Sequence, residues 1–346
     1  MNPEVSTLLV RDIGEQGLLE RLQRFCPPGI VGDDAAVMPS LELGQLLVVT
    51  TDVLVDGVHF SDRTTSPEDV GWRAAAVNLS DLAAMGAVPI GITVGLSLTR
   101  DVSVNWVEKL YQGLTDCLKQ YNTPIVGGDV CRSPVITLSI TAFGQVFPKR
   151  ILRRAAAKVG DAIVVTGVHG ASRAGLELLL NPEFGKHLSE PERADLIQAH
   201  QRPKPRLDVL PLLWEILDSQ SKIEHRESKI QVAGMDSSDG LADAVLQICR
   251  ASGVGAVIER NRIPMPAVLS YLVSQEQAWD WALYGGEDFE LVLCLPSEPA
   301  EALVEQLGEG AALIGKITTA KQVWLSDSSG TYADELLTLS RGFQHF

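Results

Sequence analysis

Cysteine is scarce in this chain. Cys26, Cys117, Cys131, Cys249 and Cys294 are odd in number, widely spaced and form no C-x-x-C pair. That pattern excludes a disulfide framework or a structural zinc site and fits a reducing compartment. Positive charge is also short: 29 Lys and Arg stand against 44 Asp and Glu, a net charge of −15. Such a surface repels a polyphosphate backbone, so nucleic acid is not an expected partner. No lysine precedes Lys109, and a phosphate ligand in the N-terminal half would be gripped by backbone N–H groups and bound cations instead. Uninterrupted apolar runs are missing too. The stretch 74 to 98 is broken by Asn78, Ser80 and Asp81, and Met-Asn-Pro-Glu-Val at the N-terminus lacks the basic and apolar regions of a signal peptide. The expectation is a cytoplasmic chain with no membrane contact. H-E-x-x-H, G-x-S-x-G and G-x-G-x-x-G do not occur. Gly310 to Lys316 approximates a phosphate-binding loop, but Ile317 stands where a hydroxyl must reach the metal. Its apolar interior reads as a strand.

What is present is an ordinary globular composition, 45% apolar and 21% charged over 346 residues, enough chain for two cores. The first half alternates strand-like and helix-like stretches: a strand over 46–51, a helix over 67–85, a strand over 90–98, a helix over 102–120 and a strand over 135–146. Ser66 before Pro67 and Gly86 after Met85 punctuate the first of these helices. The basic stretch Pro148 to Arg154 precedes a new strand over 162–166. Helices are expected near 172–180, 192–200, 207–218 and 240–251, strands before Met235 and near 255–260 and 289–295, and an exposed loop over 218–230. The predicted class is α+β (mixed α/β) in two domains, 1–148 and 149–346, each a mixed β-sheet with packed helices.

Five acidic junctions recur: Gly32-Asp33-Asp34, Thr50-Thr51-Asp52, Gly127-Gly128-Asp129, Asp236-Ser237-Ser238-Asp239-Gly240 and Gly285-Gly286-Glu287-Asp288. They are placed where apolar elements end. Any one is ordinary turn chemistry. Together they offer the hard oxygen ligands that Mg²⁺ takes, one or two carboxylates per ion with phosphate and water completing the shell, next to glycines that admit a phosphate close to the backbone. Asp81 stands out because Val70, Ala74, Val77, Asp81 and Met85 form one helical stripe. A carboxylate on an apolar seam is costly, and it implies either a metal ligand, with Asn78 supporting it, or a salt bridge or cap to a neighbouring loop.

Read in order, the junctions come with Gly57-x-His59-Phe60, the string Asn78-Leu79-Ser80-Asp81-Leu82-Ala83-Ala84-Met85-Gly86-Ala87, and Gly342-Phe343 near the end. From about residue 30 onward this series resembles the thiamine-monophosphate kinases, whose acidic framework is shared with the wider aminoimidazole-ribonucleotide synthetase superfamily. The resemblance implies transfer of the ATP γ-phosphate to thiamine monophosphate, with ATP as co-substrate, several Mg²⁺ ions and no phosphoenzyme. It implies metal-binding positions at Asp34, Thr50, Thr51, Asp52, Asp81, Asp129, Asp236 and Asp239, with Asp52, Asp81, Asp129 and Asp239 at the reacting phosphates. Nucleotide contacts fall on Tyr121, Gly128, Asp129, Arg154 and Ser238, and acceptor contacts on His59, Glu287 and Phe343. A homodimer built through the N-terminal domains, with the C-terminal domain completing the active site, is also implied. Rival readings are a selenophosphate synthetase, which the lack of an N-terminal lysine beside Cys26 disfavours, an amidine-forming cyclase, and a non-catalytic nucleotide or metal sensor, which carboxylates at every junction disfavour.

Overall fold

The structure is a computed structural model that describes residues 8–26, 43–223 and 231–341. The chain divides into two compact units, one holding the residues up to Leu82 together with Val88–Gln145, the other Ala83–Ala87 together with everything from Val146.

In chain order the first unit is built from α1 (Val10–Leu22), β1 (Leu46–Val55), α2 (Pro67–Ala84), β2 (Val88–Leu98), α3 (Val104–Lys119), β3 (Ile125–Arg132) and β4 (Thr137–Val146). Its sheet runs β1-β4-β2-β3, with β2 parallel to β3 and antiparallel to β4. Strict alternation shapes the sheet: Leu138, Ile140 and Ala142 are buried on one side of β4, while Thr137, Ser139 and Thr141 between them are half-exposed. Val94, Leu96 and Leu98 repeat the pattern on β2. With the buried faces of α2 and α3 they make this unit's core. The two helices approach through small residues: a Cβ on Gly71 would lie 1.9 Å from the Leu110 carbonyl, and one on Gly113 would lie 1.8 Å from that of Glu68.

The second unit contains β5 (Ala162–Val165), α4 (Ala171–Leu180), α5 (Glu190–Gln201), α6 (Val209–Ile223), β6 (Ala233–Asp236), α7 (Leu241–Ser252), β7 (Gly255–Glu259), α8 (Leu269–Leu272), α9 (Gln275–Tyr284), β8 (Leu291–Leu295), α10 (Ser297–Leu307), β9 (Ala312–Thr318), β10 (Val323–Ser326) and β11 (Glu335–Leu336). Its mixed sheet runs β11-β10-β7-β9-β5-β8-β6. Central strands such as β5 and β8 are buried along their whole length, because helices lie over both faces. Ile163 and Val165 join the core of α7 and α9, whereas Ala162 and Val164 join that of α6 and α10. The fold class is the expected one, and the rejected phosphate loop is indeed strand β9.

Three local expectations are corrected. Thr50-Thr51-Asp52 lies inside β1, and Gly127-Gly128-Asp129 inside β3, rather than at element ends. β3 escaped the pattern reading because glycine and aspartate are depleted in strands, yet here a bare Cα is required: a Cβ on Gly128 would sit 2.3 Å from the Val94 carbonyl. Residues 218 to 223 continue α6 instead of starting a loop. The rest of that loop lies outside the described residues.

Candidate active site

The first cluster lies in the N-terminal unit. Thr50 donates its hydroxyl to Asp81 Oδ2, joining β1 to α2. The Asp52 backbone N–H donates to Asn78 Oδ1 at 3.2 Å, and Asn78 Nδ2 donates to the Ala74 carbonyl at 3.0 Å. Asn78 is fully buried, as is Ser80 on the same helix. Asp81 is not: it shares a part-exposed edge with Val77 and Met85, and the buried face runs through Ala75, Ala76, Leu79 and Leu82. Of the stripe read from the sequence, Val70 and Ala74 are buried while Val77, Asp81 and Met85 are part-exposed, so the carboxylate keeps contact with solvent and does not bear a full desolvation cost. Thr51 meets Thr141 on β4, hydroxyl to hydroxyl at 2.9 Å.

His59 follows β1 in a turn, its Nδ1 accepting the Val55 backbone N–H at 3.0 Å; the neutral ring therefore carries its proton on Nε2. Asp129 is exposed on β3, in register with Gly95 on β2 and Ser139 on β4. With β4 and β2 intervening, roughly 14 Å of sheet separate β1 from β3, so Asp129 is not brought to the Thr50–Asp81 pair. Tyr121, just after α3, is part-exposed. Asp34 and Phe343 lie outside the described residues.

The second cluster lies in the C-terminal unit, where two acidic motifs are bonded to each other. β6 ends on Asp236, whose buried carboxylate accepts the Ser238 hydroxyl at 2.9 Å, and Asp239 is exposed before α7 begins. The Glu287 N–H donates to the Ser238 carbonyl at 2.7 Å, the Ser237 N–H to the Glu290 carbonyl at 2.8 Å, and the Glu290 N–H to Ser237 Oγ at 3.2 Å. Between these bonds Gly286, Glu287 and Phe289 have φ of 67°, 58° and 52°. For the two residues with side chains that conformation costs on the order of 1–3 kcal/mol each, a cost found mostly where a site over-determines its backbone. Asp288 supplies the restraint. Its two carboxylate oxygens accept the N–H groups of Gly170 and Ser172 at 2.7 and 2.9 Å, at the start of α4. Burial pushes this carboxyl up to about 7, against the pull of those two N–H groups.

Behind the motifs stands a polar network that the sequence reading did not name. Thr166 Oγ1 donates to Glu290 Oε2 at 2.6 Å and accepts the Leu291 N–H at 2.8 Å. Arg206 pairs with the same Glu290 oxygen. Burial raises the Glu290 carboxyl and the Arg206 guanidinium works against that rise. His169, wholly buried, has Nε2 3.1 Å from Ser237 Oγ, and burial holds its pKa down to about 4. Apart from Ser237, which lies in the Asp236 to Gly240 junction, these residues are spread from 166 to 290 and belong to no short motif. Arg154 is exposed; its charge lowers, and that of Asp236 raises, the carboxyl of Asp243, which burial raises overall.

Among the described residues no three Asp, Glu, His or Cys side chains converge into one metal cage. The donors are instead dispersed carboxylates and hydroxyls, the set that suits Mg²⁺ held jointly with substrate phosphates.

Residues 32–146 match the AIR synthase related protein N-terminal domain, and residues 158–326 match the corresponding C-terminal domain. A thiamine-monophosphate kinase of Synechococcus elongatus is 55% identical over 335 residues, covering 97% of both chains. The chain belongs to the thiamine-monophosphate kinase family. Another member of the family, from Escherichia coli, is 38% identical over 91% of each chain. Among solved structures, the thiamine-monophosphate kinase of Stenotrophomonas maltophilia K279a superposes with a TM-score of 0.76 at 33% identity, over 89% of this chain and 95% of that one. AaThiL complexed with AMPPCP and TMP gives 0.71 at 32% identity, over 99% and 100%. Hydrogenase maturation protein HypE in complex with ATP reaches 0.75 over 97% of this chain and 99% of its own, but at 20% identity it attests the fold alone.

Proposed function

We infer that this chain transfers the γ-phosphate of ATP to thiamine monophosphate, giving thiamine diphosphate and ADP. The observation that carries the reading is 55% identity over 97% of both chains to a thiamine-monophosphate kinase, together with an acidic residue at each of the five junctions. The acceptor is a phosphate monoester with a second pKa of about 6, hence mostly a dianion near pH 7 that needs no general base. The difficulty is repulsion, roughly 4 kcal/mol for each pair of unit charges at 4 Å in an effective dielectric of 20.

Asp34, Thr50, Thr51, Asp52, Asp81, Asp129, Asp236 and Asp239 would hold Mg²⁺, which when bound neutralises phosphate charge and aligns donor with acceptor. Gly128, Arg154, Ser238 and Tyr121 contact the nucleotide in this reading, and His59, Glu287 and Phe343 the acceptor. The Thr50–Asp81 side-chain bond and the Asp52 N–H to Asn78 bond fix these residues on β1 and α2. Five free cysteines support a reducing, cytoplasmic setting.

A second copy of this chain is the partner we assign to the open face of the first sheet. Leu47, Val49 and Val53 point the same way as Thr51 along β1 and are 52%, 52% and 46% exposed. An uncovered apolar strand face invites a second sheet.

Incubation with Mg-ATP and either thiamine monophosphate or thiamine, with products resolved by chromatography, tests the activity. Thiamine diphosphate should form from the monophosphate only, and chelation should stop it. Phosphorylation of free thiamine at a comparable rate would overturn the base-free mechanism. Light scattering of wild type and Val49→Lys tests the dimer; a monomeric wild type would remove it.

A further inference from the structure

The strained segment that carries Glu287 has a side-chain partner outside every motif. His200, on α5, is 3% exposed. Its Nδ1 lies 3.1 Å from Ser172 Oγ and 3.5 Å from Glu287 Oε2. A carboxylate oxygen at that range is repelled by an imidazole lone pair and attracted by an N–H, so the Glu287 charge selects the form protonated at Nδ1. Ser172 belongs to the same arrangement, since its N–H binds Asp288. The backbone of 286–289 is thus pinned by the Asp288 carboxylate, which accepts N–H groups at the start of α4, and by Ser238 at the Glu287 N–H, while the Glu287 side chain is faced by His200 on α5. The Glu287 side chain stays about a third exposed, which leaves it accessible to a ligand. Gly175 lets α5 come this near, because a Cβ there would lie 2.0 Å from the Leu196 carbonyl and 3.1 Å from the His200 Cβ.

We propose that His200 is a positioning residue for Glu287, holding its carboxylate in the orientation that receives a cationic aromatic acceptor. The proposal rests on the reading of Glu287 as an acceptor contact. His200 touches no reacting atom. It limits the rotamers of a flexible Glu that would otherwise be ordered at the expense of acceptor binding. Its effect therefore belongs to KM for the acceptor and not to KM for ATP.

His200→Leu keeps the bulk and removes the N–H, whereas His200→Asn keeps a donor near the position of Nδ1. His200→Leu should raise KM for thiamine monophosphate about 2- to 10-fold, the range of one net hydrogen bond, leaving KM for ATP and the melting temperature close to wild type. His200→Asn should restore most of the loss. If His200→Leu fails to fold, Ser172→Ala with His200→Asn gives the same readout, Ser172→Ala raising the acceptor KM and His200→Asn sparing it. Equal changes in both KM values, or an unchanged acceptor KM in a folded variant, would overturn the proposal. Glu287→Gln separates the two levels of the argument. If it raises the acceptor KM while the His200 and Ser172 variants do not, only the positioning role falls; if it has no effect on the acceptor KM, the reading of Glu287 falls and the positioning role with it.

Discussion

Asp52 and Asn78 are joined by a 3.2 Å hydrogen bond from the Asp52 backbone N–H to the Asn78 side-chain oxygen, and Asn78 is completely buried. The amide spends its own N–H on the Ala74 carbonyl one turn back, so it ties β1 to α2 with donor and acceptor both used. The carboxylates of Asp52 and Asp81 are thereby carried on two elements that are tied together, an arrangement that would preorganise them for the ion-mediated reaction proposed above.

Asp81→Asn should abolish most turnover and leave the melting temperature within a few degrees of wild type. The amide oxygen can still accept the Thr50 hydroxyl, and the position is part-exposed, so neither a large loss nor a gain in stability follows. Steady-state kinetics and a thermal melt of the same preparation check it; full activity would make Asp81 a structural partner of Thr50 and nothing more.

Asp288→Asn should destabilise the second unit by about 1–3 kcal/mol. A carboxylate accepts from Gly170 and Ser172 with two oxygens, but an amide has one acceptor, and its NH₂ must face a backbone N–H. Relaxation of the left-handed Glu287 should raise the acceptor KM as well. Urea denaturation followed by kinetics would show both, and stability equal to wild type would contradict the capping role.

Gly113→Ala should cost about 1–3 kcal/mol by overpacking the α2–α3 crossing, because the new Cβ meets the Glu68 carbonyl at 1.8 Å. Gly330→Ala is the control: its φ is 72° with nothing within 4 Å of the new Cβ, so only local backbone strain is expected. Comparable melting-temperature losses in the two variants would mean that helix approach is not the cause at Gly113.

His169 should make stability pH-dependent. Burial depresses its folded pKa to about 4 from 6.5, so the unfolded chain binds the extra proton between those values. Its contribution is complete above pH 6.5 and is lost as pH falls towards 4, with a slope of about 1.4 kcal/mol per unit. Urea midpoints of wild type and His169→Asn across pH 4 to 7 should differ by that slope. Parallel curves would show that the ring does not titrate as its burial demands.

Local patterning along the chain was enough to place most helices and strands, since alternation at period 2 and apolar spacing near 3.6 report which side of an element packs. The junctions with Asp52, Asp129, Asp236 and Glu287 were legible because small glycines and hydroxyl residues beside carboxylates leave a compositional mark over a few positions. Where that mark lies was less legible: Gly127-Gly128-Asp129 reads as a turn, and is a strand because it pairs in parallel with β2, so close to the Val94 carbonyl that Gly128 has no room for a Cβ. How far the apolar stripe of α2 packs was also decided by tertiary structure: Val70 and Ala74 are buried, but Asp81 further along the same stripe is part-exposed, and the polar groups in the interior are Asn78 and Ser80. The network of Thr166, His169, Ser172, His200, Arg206 and Glu290 had no sequence signature at all. Its members meet only when β5, α4, α5 and β8 pack together, and a buried polar side chain is stable where folding brings its partner, however distant that partner is along the chain.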